Sequence, residues 1–310
     1  MLTNLTRKTA KFANTLISEI DYKVAKFKHS FFLPLINESD RSIVTGLQQE
    51  GAFITSLDKL AISATPALLQ ALKKLLAAIP ITSHNFTSYF TKSSVEFRSN
   101  QLIKDYPEIF LWGLDNRLLD IIENFMQLPV AYHGVDPRRY VPALDRAEQI
   151  GTLLWHIDLE DRCILKIIIY LNDVSINEAP FEYIPISYMP RWPLLRYIRR
   201  KIFRQDPVCF SDSELKKFIP ESAWKPCLGS AGTVIFANTN RIFHRVKVNQ
   251  SDRLSLCFVY SSRKPKNSQL CRTSFNYDRN LISSITQKLS GQQQECIKSV
   301  ISGFDSRDFW

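Results

Sequence analysis

Histidine is scarce in this chain, and several features that mark other protein classes are missing. Five histidines occur in 310 residues, and the six cysteines form no Cys-x-x-Cys pair. Cysteines so arranged predict reduced, mostly buried thiols of a cytoplasmic protein. The absence of any run of about 18 uncharged apolar residues argues against a membrane-spanning helix. Hydrophobic residues make up 45% and charged residues 23% of the chain, which excludes disordered and collagen-like proteins.

Acidic residues are outnumbered by basic ones. The chain has 40 Lys and Arg against 30 Asp and Glu, a formal net charge of +10. This excess favours an anionic substrate, an anionic membrane surface or simply a basic solvent-exposed face. No nucleic-acid-binding motif is present, and we expect no nucleic-acid partner. Residues 7–28 carry dispersed Lys and Arg rather than the apolar block of a signal peptide.

The two halves of the chain differ in character. Residues 1–127 predict a mostly helical region, with helices at 65–79 and 106–126. From 128 to 262, short β-rich runs separated by Pro, Gly, Asn and Asp predict an all-β sandwich or barrel. The predicted strands are 152–158, 163–171, 181–187, 232–237, 241–248 and 253–260, with a long insertion at about 188–228 and a partly helical tail at 263–310.

One histidine lies two residues before an aspartate. His156 and Asp158 stand in LLWHIDLEDR, and on an extended strand both side chains leave the same face. A second histidine, His244, follows in RIFHRVKV, where strand alternation turns it toward the core with Ile242 and Val246. For each histidine, a structural role beside ordinary neighbours is the alternative.

A strand over 253–260 predicts an unusual buried charge. Arg253 and Ser255 share one face of this strand, and a jelly roll would place that face inside the barrel. A buried arginine needs an anion, and its planar fork suits a dicarboxylate. Two neutral imidazoles and one carboxylate form the facial triad of non-haem Fe(II) oxygenases. This chemistry explains why His156, Asp158, His244 and Arg253 occur in one β-rich region.

The combined pattern over roughly 130–262 resembles the phytanoyl-CoA dioxygenase family of 2-oxoglutarate-dependent Fe(II) oxygenases. The motifs are WHxD, LKIIIYLNDV, PFEYIP and GTVIFANTNRIFHR followed by RLSL. The resemblance implies a mainly β fold, with a double-stranded β-helix (jelly roll, cupin-like) core and flanking helices. It also implies that the iron ligands are His156, Asp158 and His244, and that Arg253 with Ser255 holds the distal carboxylate of 2-oxoglutarate. Ala179-Pro180 departs from the Gly-Pro usual in the family.

Three further features have two or more interpretations. Lys166 interrupts the apolar run ILKIIIYL and shares a strand face with Tyr170, so either side chain is a candidate for binding cosubstrate or substrate. The alternatives are a solvent-facing lysine and a tyrosine bonded to the backbone. The basic segment 191–204 is interpreted as part of a lid that captures an anionic substrate, as a membrane contact or as a surface helix.

The sequence therefore predicts an Fe(II)- and 2-oxoglutarate-dependent dioxygenase. Its expected reaction is hydroxylation of an unactivated C–H bond in a small-molecule or lipid-like substrate, using O2 and releasing succinate and CO2. The alternative is a non-catalytic jelly-roll protein that binds an anionic ligand or a membrane surface. Neither the substrate nor the oligomeric state follows from the sequence.

Overall fold

A computed structural model describes residues 2–78, 95–140, 153–190, 209–247, 251–274 and 277–302. Within these ranges the chain forms eleven α-helices and ten β-strands. The helices are α1 (Leu2–His29), α2 (Glu38–Glu50), α3 (Leu57–Leu60), α4 (Thr65–Ala78), α5 (Val95–Asp105), α6 (Pro107–Trp112), α7 (Asn116–Met126), α8 (Asp212–Leu215), α9 (Ser268–Ser274), α10 (Arg279–Thr286) and α11 (Gly291–Ser302). The strands are β1 (Ala52–Ser56), β2 (Val130–Tyr140), β3 (Trp155–His156), β4 (Ile164–Tyr170), β5 (Phe181–Tyr183), β6 (Cys209–Phe210), β7 (Lys225–Pro226), β8 (Thr233–Asn238), β9 (His244–Val246) and β10 (Arg253–Ser262).

The helix predicted at 65–79 is confirmed as α4, whereas the region at 106–126 forms two helices instead of one. The break follows from local chemistry. Helix α6 ends at Trp112 with Gly113 as its C-cap, and Asp115 caps α7 by accepting a hydrogen bond from the backbone N–H of Arg117. None of the described helices has the length and apolar character needed to traverse a membrane.

The strands form two five-stranded antiparallel sheets. The first has the order β1-β8-β4-β10-β2 and the second the order β6-β3-β9-β5-β7. Two strands of the first sheet were not predicted. Strand β1 lies in the region predicted to be helical, and β2 contains Gly134 and Pro137, which weaken a strand signal. Pro137 is tolerated because β2 is an edge strand with β10 as its neighbour.

The described part of the predicted insertion belongs to the second sheet. Strand β6 pairs with β3, and β7 pairs with β5, so both edges of this sheet come from 209–226. Segment 191–204 lies outside the described residues. The lid and the division into 1–127, 128–262 and 263–310 stay predictions.

Side-chain alternation divides the molecule into layers. In β4, Leu165, Ile167 and Ile169 pack with the helices, whereas Ile164 and Ile168 pack between the sheets. The inner face of the first sheet meets Phe181 and Tyr183 of the second sheet. A third apolar cluster covers the outer face of the second sheet and includes Trp155, Phe210 and Phe243. The polar residues that interrupt the middle layer therefore lie between two apolar walls.

Candidate metal centre

The predicted triad converges at one point between the sheets. His156 and His244 are directly paired residues on β3 and β9, and Asp158 follows β3. Nε2 of His156 lies 3.9 Å from Oδ1 of Asp158, and Nε2 of His244 lies 3.8 Å from the same atom. Each residue offers a ligand atom within 4.8 Å of the others. Among the described residues, this is the one cluster of three or more His, Cys, Asp or Glu side chains with such spacing.

A hydrogen bond at Nδ1 fixes the orientation of each imidazole ring. Nδ1 of His156 lies 2.8 Å from the carbonyl oxygen of Leu154, and Nδ1 of His244 lies 3.4 Å from that of Ile242. In each ring the carbonyl accepts a hydrogen bond from Nδ1–H, which leaves Nε2 with its lone pair toward the triad. Burial lowers the pKa of both histidines, that of His244 well below its usual value. Both rings are therefore neutral near pH 7, as metal ligation requires.

The turn after β8 fixes Asp158. Its backbone N–H donates to the carbonyl of Thr239 at 3.1 Å, and its carbonyl accepts a hydrogen bond from Asn240 at 3.2 Å. Thr239 and Asn240 thus hold the segment that follows β3, and reasoning from the sequence missed them. The ANTN run before His244 was the available signal, because Asn and Thr commonly bond neighbouring backbone.

Lys166 contacts the triad itself. Its Nζ lies 2.5 Å from Oδ2 of Asp158, and its side chain is 13% exposed against 8% for the aspartate. Burial opposes ionisation of Asp158, but the positive charge of Lys166 holds its pKa well below the usual range. The lysine therefore keeps Asp158 ionised and contacts Oδ2, whereas the two imidazoles lie nearest to Oδ1. Binding of cosubstrate or substrate by Lys166 stays a prediction.

We expect Lys166→Met to lower the free energy of unfolding of the metal-free protein by about 3 kcal/mol, because it leaves the buried Asp158 carboxylate without its cation. Chemical denaturation measures this loss. Added Mn²⁺ restores more stability to the variant than to the wild type, because the bound ion replaces the missing positive charge.

The matched control is Lys225→Met, which removes an exposed lysine that lies 2.8 Å from Glu50. Exposed ion pairs contribute less than about 1 kcal/mol. Equal losses in the two variants, or a deficit in Lys166→Met that Mn²⁺ leaves unchanged, would show that the contact with Asp158 is not stabilising.

The triad opens into a cavity of about 220 Å³. The lining of this cavity also includes both basic and acidic side chains. Arg253 and Ser255 lie in this lining, as the strand alternation predicted, and they are 2% and 1% exposed. The guanidinium of Arg253 donates from Nη1 to the carbonyl of Ala179 at 2.7 Å and lies over the Tyr140 ring. Nε of Arg253 and Oγ of Ser255 are buried without a hydrogen-bond partner.

These orphaned atoms point to a missing ligand. No ion pair joins Arg253 to a carboxylate within the described ranges, although a buried guanidinium needs a compensating anion. Both orphaned atoms are able to donate hydrogen bonds. A carboxylate in the cavity would satisfy them together.

Tyr170 lies beside Arg253, with the guanidinium carbon 5.6 Å from its ring centroid. Its hydroxyl donates to the carbonyl of Cys227 at 2.9 Å and accepts from the N–H of Phe181 at 3.0 Å. These are the backbone partners that the alternative interpretation expects. A cofactor-binding role for Tyr170 stays a prediction.

The neighbour of His244 on β9 faces the other way. Arg245 is 3% exposed, donates to Glu182 at 2.8 Å, contacts Asp212 and lies over the Trp155 ring at 4.4 Å. This cluster is behind the second sheet. It holds β9 against β5 and α8, and so supports the position of His244.

The cavity also contains a carboxylate that the sequence analysis did not select. Glu160 lies two residues after Asp158, and its Oε2 is buried without a partner. Arg138, on β2, lines the same cavity and bonds Asp136 at 2.7 Å. The alternation of His156, Asp158 and Glu160 in the sequence was the signal for this third acidic position.

The triad fits a transition-metal ion. Metal–nitrogen and metal–oxygen bonds are about 2.0–2.2 Å long, so one ion is able to reach two donors that lie up to about 4 Å apart. The separations of 3.8 Å and 3.9 Å between Asp158 and the two histidines meet that limit, and all three ligand atoms lie within 4.8 Å of one another. The two neutral imidazoles and the carboxylate are ligands that suit Fe(II) and leave coordination positions open.

No protein-family model and no curated protein matches the chain. Among solved structures, HygX from Streptomyces hygroscopicus, crystallised with nickel and 2-oxoglutarate, is 17% identical and has a TM-score of 0.46. The match covers 72% of this chain and 87% of HygX. The non-heme alpha-ketoglutarate-dependent epimerase SnoN from nogalamycin biosynthesis is 13% identical over 73% of this chain and 84% of its own, with a TM-score of 0.46. At these values the likeness assigns neither a family nor a reaction to this chain.

Proposed function

We propose that the chain is an Fe(II)- and 2-oxoglutarate-dependent dioxygenase of the phytanoyl-CoA dioxygenase type, built on a jelly-roll core. The observation that carries the proposal is one cavity that contains both a His–Asp–His cluster and a buried arginine without a carboxylate partner. A metal ion alone would explain the His–Asp–His cluster but not Arg253 and Ser255. A dicarboxylate cosubstrate explains Arg253 and Ser255 as well.

In this proposal, His156 and His244 would hold the metal through Nε2, and Asp158 would hold it through a carboxylate oxygen. Lys166 retains Oδ2 of Asp158, which keeps the carboxylate in one orientation and leaves other coordination positions free. Arg253 and Ser255 donate to the distal carboxylate of 2-oxoglutarate. When bound, Fe(II) and 2-oxoglutarate together reduce O2, so that one oxygen atom enters a substrate C–H bond and the other enters succinate, released with CO2.

Apolar side chains complete the cavity. Phe181 stacks on His244 with ring centroids 5.6 Å apart, and Ile168 and Val246 line the same space. These groups exclude water from the metal and protect the reactive site from side reactions. The substrate is proposed to be a small or lipid-like molecule, and hydroxylation is the proposed outcome.

We expect the Fe(II)-loaded protein to convert 2-oxoglutarate to succinate and CO2 in air when a library of small metabolites and lipids contains a substrate. Succinate formation is the readout. His156→Ala serves as the control, because loss of a metal ligand removes turnover for every compound. Wild-type protein that binds Fe(II) and 2-oxoglutarate but forms no succinate with any compound would favour a non-catalytic binding protein instead.

A further inference from the structure

One side of helix α1 presents an apolar stripe to solvent. The stripe consists of Ile17, Ile20, Val24 and Phe27 of α1 and Phe31 in the turn that follows it, and the exposed fractions run from 44% at Val24 to 71% at Phe31. Their spacing alternates between three and four residues, so they lie along one face. In the described part of the chain, half of the exposed large apolar side chains belong to residues 16–35.

The opposite face of α1 is fixed to the body of the protein. Glu19 lies 3.1 Å from Arg162, whose guanidinium also lies over the ring of Tyr22 at 4.9 Å. His29 bonds Glu123 of α7 at 2.7 Å. Positions 19, 22 and 29 recur at helical spacing on the far side from the stripe. The stripe therefore points outward on a helix that the body holds in place.

The segment after α1 extends the apolar surface. Phe27 and Phe31 contact each other edge-to-face, with ring centroids 5.2 Å apart. Phe32 is 77% exposed and Leu35 is 99% exposed. Monomeric soluble proteins rarely expose contiguous apolar surface of this kind without a binding role.

Basic residues flank the stripe. At 100° per residue, Lys23 falls on one side of it and Lys28 on the other, and Asp21 lies on the same side as Lys28. Through residue 35, Lys and Arg occur six times and Asp and Glu twice, as Glu19 and Asp21. Glu19 is already paired with Arg162. The two flanks thus carry two lysines and one aspartate, a net positive charge.

We propose that this stripe docks the protein on an anionic lipid surface, independently of the oxygenase proposal. An apolar ridge between lysines suits the boundary of headgroups and acyl chains, where Phe and Ile enter the apolar layer and Lys reaches the phosphates. A second copy of the chain is the competing occupant. Two copies joined along the stripe would bring Lys23 and Lys28 of each copy close to those of the other, with a single aspartate per helix to offset them.

The test is cosedimentation of the full chain with vesicles of phosphatidylcholine containing about one-third phosphatidylserine. We expect binding that falls with added salt and is weak on pure phosphatidylcholine. The double variant Phe27→Ser with Phe31→Ser lowers the partition coefficient by about tenfold or more. Replacing Lys23 and Lys28 with glutamine lowers it by about fivefold for each lysine.

Matched controls use exposed residues elsewhere. Leu228→Ser changes an apolar side chain that is 45% exposed, and Lys216→Gln changes a lysine whose side chain is 47% exposed. Neither should alter binding to vesicles. Absence of wild-type binding to the anionic vesicles would overturn the proposal, and so would equal effects of the control and stripe variants. A dimer in solution that dissociates in the Phe27→Ser, Phe31→Ser variant, without vesicle binding, would assign the stripe to self-association instead.

Discussion

Replacing His244 with alanine is expected to weaken metal binding by more than about 100-fold, since even second-layer partners of a metal ligand contribute 10- to 100-fold. His244 is 3% exposed, and its Nε2 lies 3.8 Å from Oδ1 of Asp158, so neither water nor a neighbouring residue readily replaces it. Isothermal titration with Mn²⁺, an air-stable substitute for Fe(II), measures the loss. Turnover of 2-oxoglutarate should disappear with it.

The histidine at position 29 provides a matched control. His29 bonds Glu123 outside the cavity, so His29→Ala should retain wild-type affinity for Mn²⁺. Chemical denaturation of both variants checks that each is folded. Unchanged metal affinity in folded His244→Ala would show that the triad is a buried polar cluster rather than a metal site.

Replacing Arg253 with methionine is expected to raise the Kd for 2-oxoglutarate by about 100-fold, equivalent to about 2.7 kcal/mol, because a buried charge-assisted contact is lost. Arg253 is 2% exposed, and its Nε has no partner, so a ligand carboxylate is the group it is placed to bind. Titration of the Mn²⁺-loaded protein with 2-oxoglutarate measures the change. Arg253→Lys should give an intermediate loss, because it retains the charge but not the planar fork.

Arg139 provides a matched control for Arg253. It is paired with Asp252 and is not among the described residues that line the cavity. Arg139→Met should leave the Kd for 2-oxoglutarate unchanged. Affinity for Mn²⁺ should stay at the wild-type level in both variants. If Arg253→Met bound 2-oxoglutarate with wild-type affinity, this result would contradict the proposal that Arg253 binds the cosubstrate.

The faces of the central strands were predictable because each strand has a period of two and a buried side. Lys166 and Tyr170 share a face of β4 as expected, and Arg253 and Ser255 share one of β10. Tyr170 on β4 is directly paired with Ser255 on β10, so these two pairs of residues lie on the same face of the first sheet. The convergence of His156 with His244 depends on pairing between β3 and β9, which are far apart in sequence, and the resemblance rather than periodicity predicted it.

What could not be predicted involves contacts outside a single strand. The contact between Lys166 and Asp158 crosses from one sheet to the segment after β3, so the lysine seemed free for a ligand on the sequence alone. Strand β2 was missed because Gly134 and Pro137 interrupt it, although ten residues of β10 pair along it. The exposed side of α1 likewise depends on which face the body covers.

One difference from the Gly-Pro of the family that the sequence resembles gains a physical meaning. Ala179, at the usual glycine position, has a φ of 51°, in the left-handed region that glycine adopts without strain. Its carbonyl accepts the hydrogen bond from Arg253. The backbone turn therefore orients the arginine, and the structure retains that turn with alanine in place of glycine.

Anaerobic titration of the Fe(II)-loaded protein with 2-oxoglutarate tests the central claim most directly, because it needs no substrate. The account predicts a weak visible charge-transfer band that saturates with 2-oxoglutarate, is absent in His244→Ala and requires much higher 2-oxoglutarate concentrations in Arg253→Met. A folded wild-type protein that develops no band at saturating Fe(II) and 2-oxoglutarate would contradict the account.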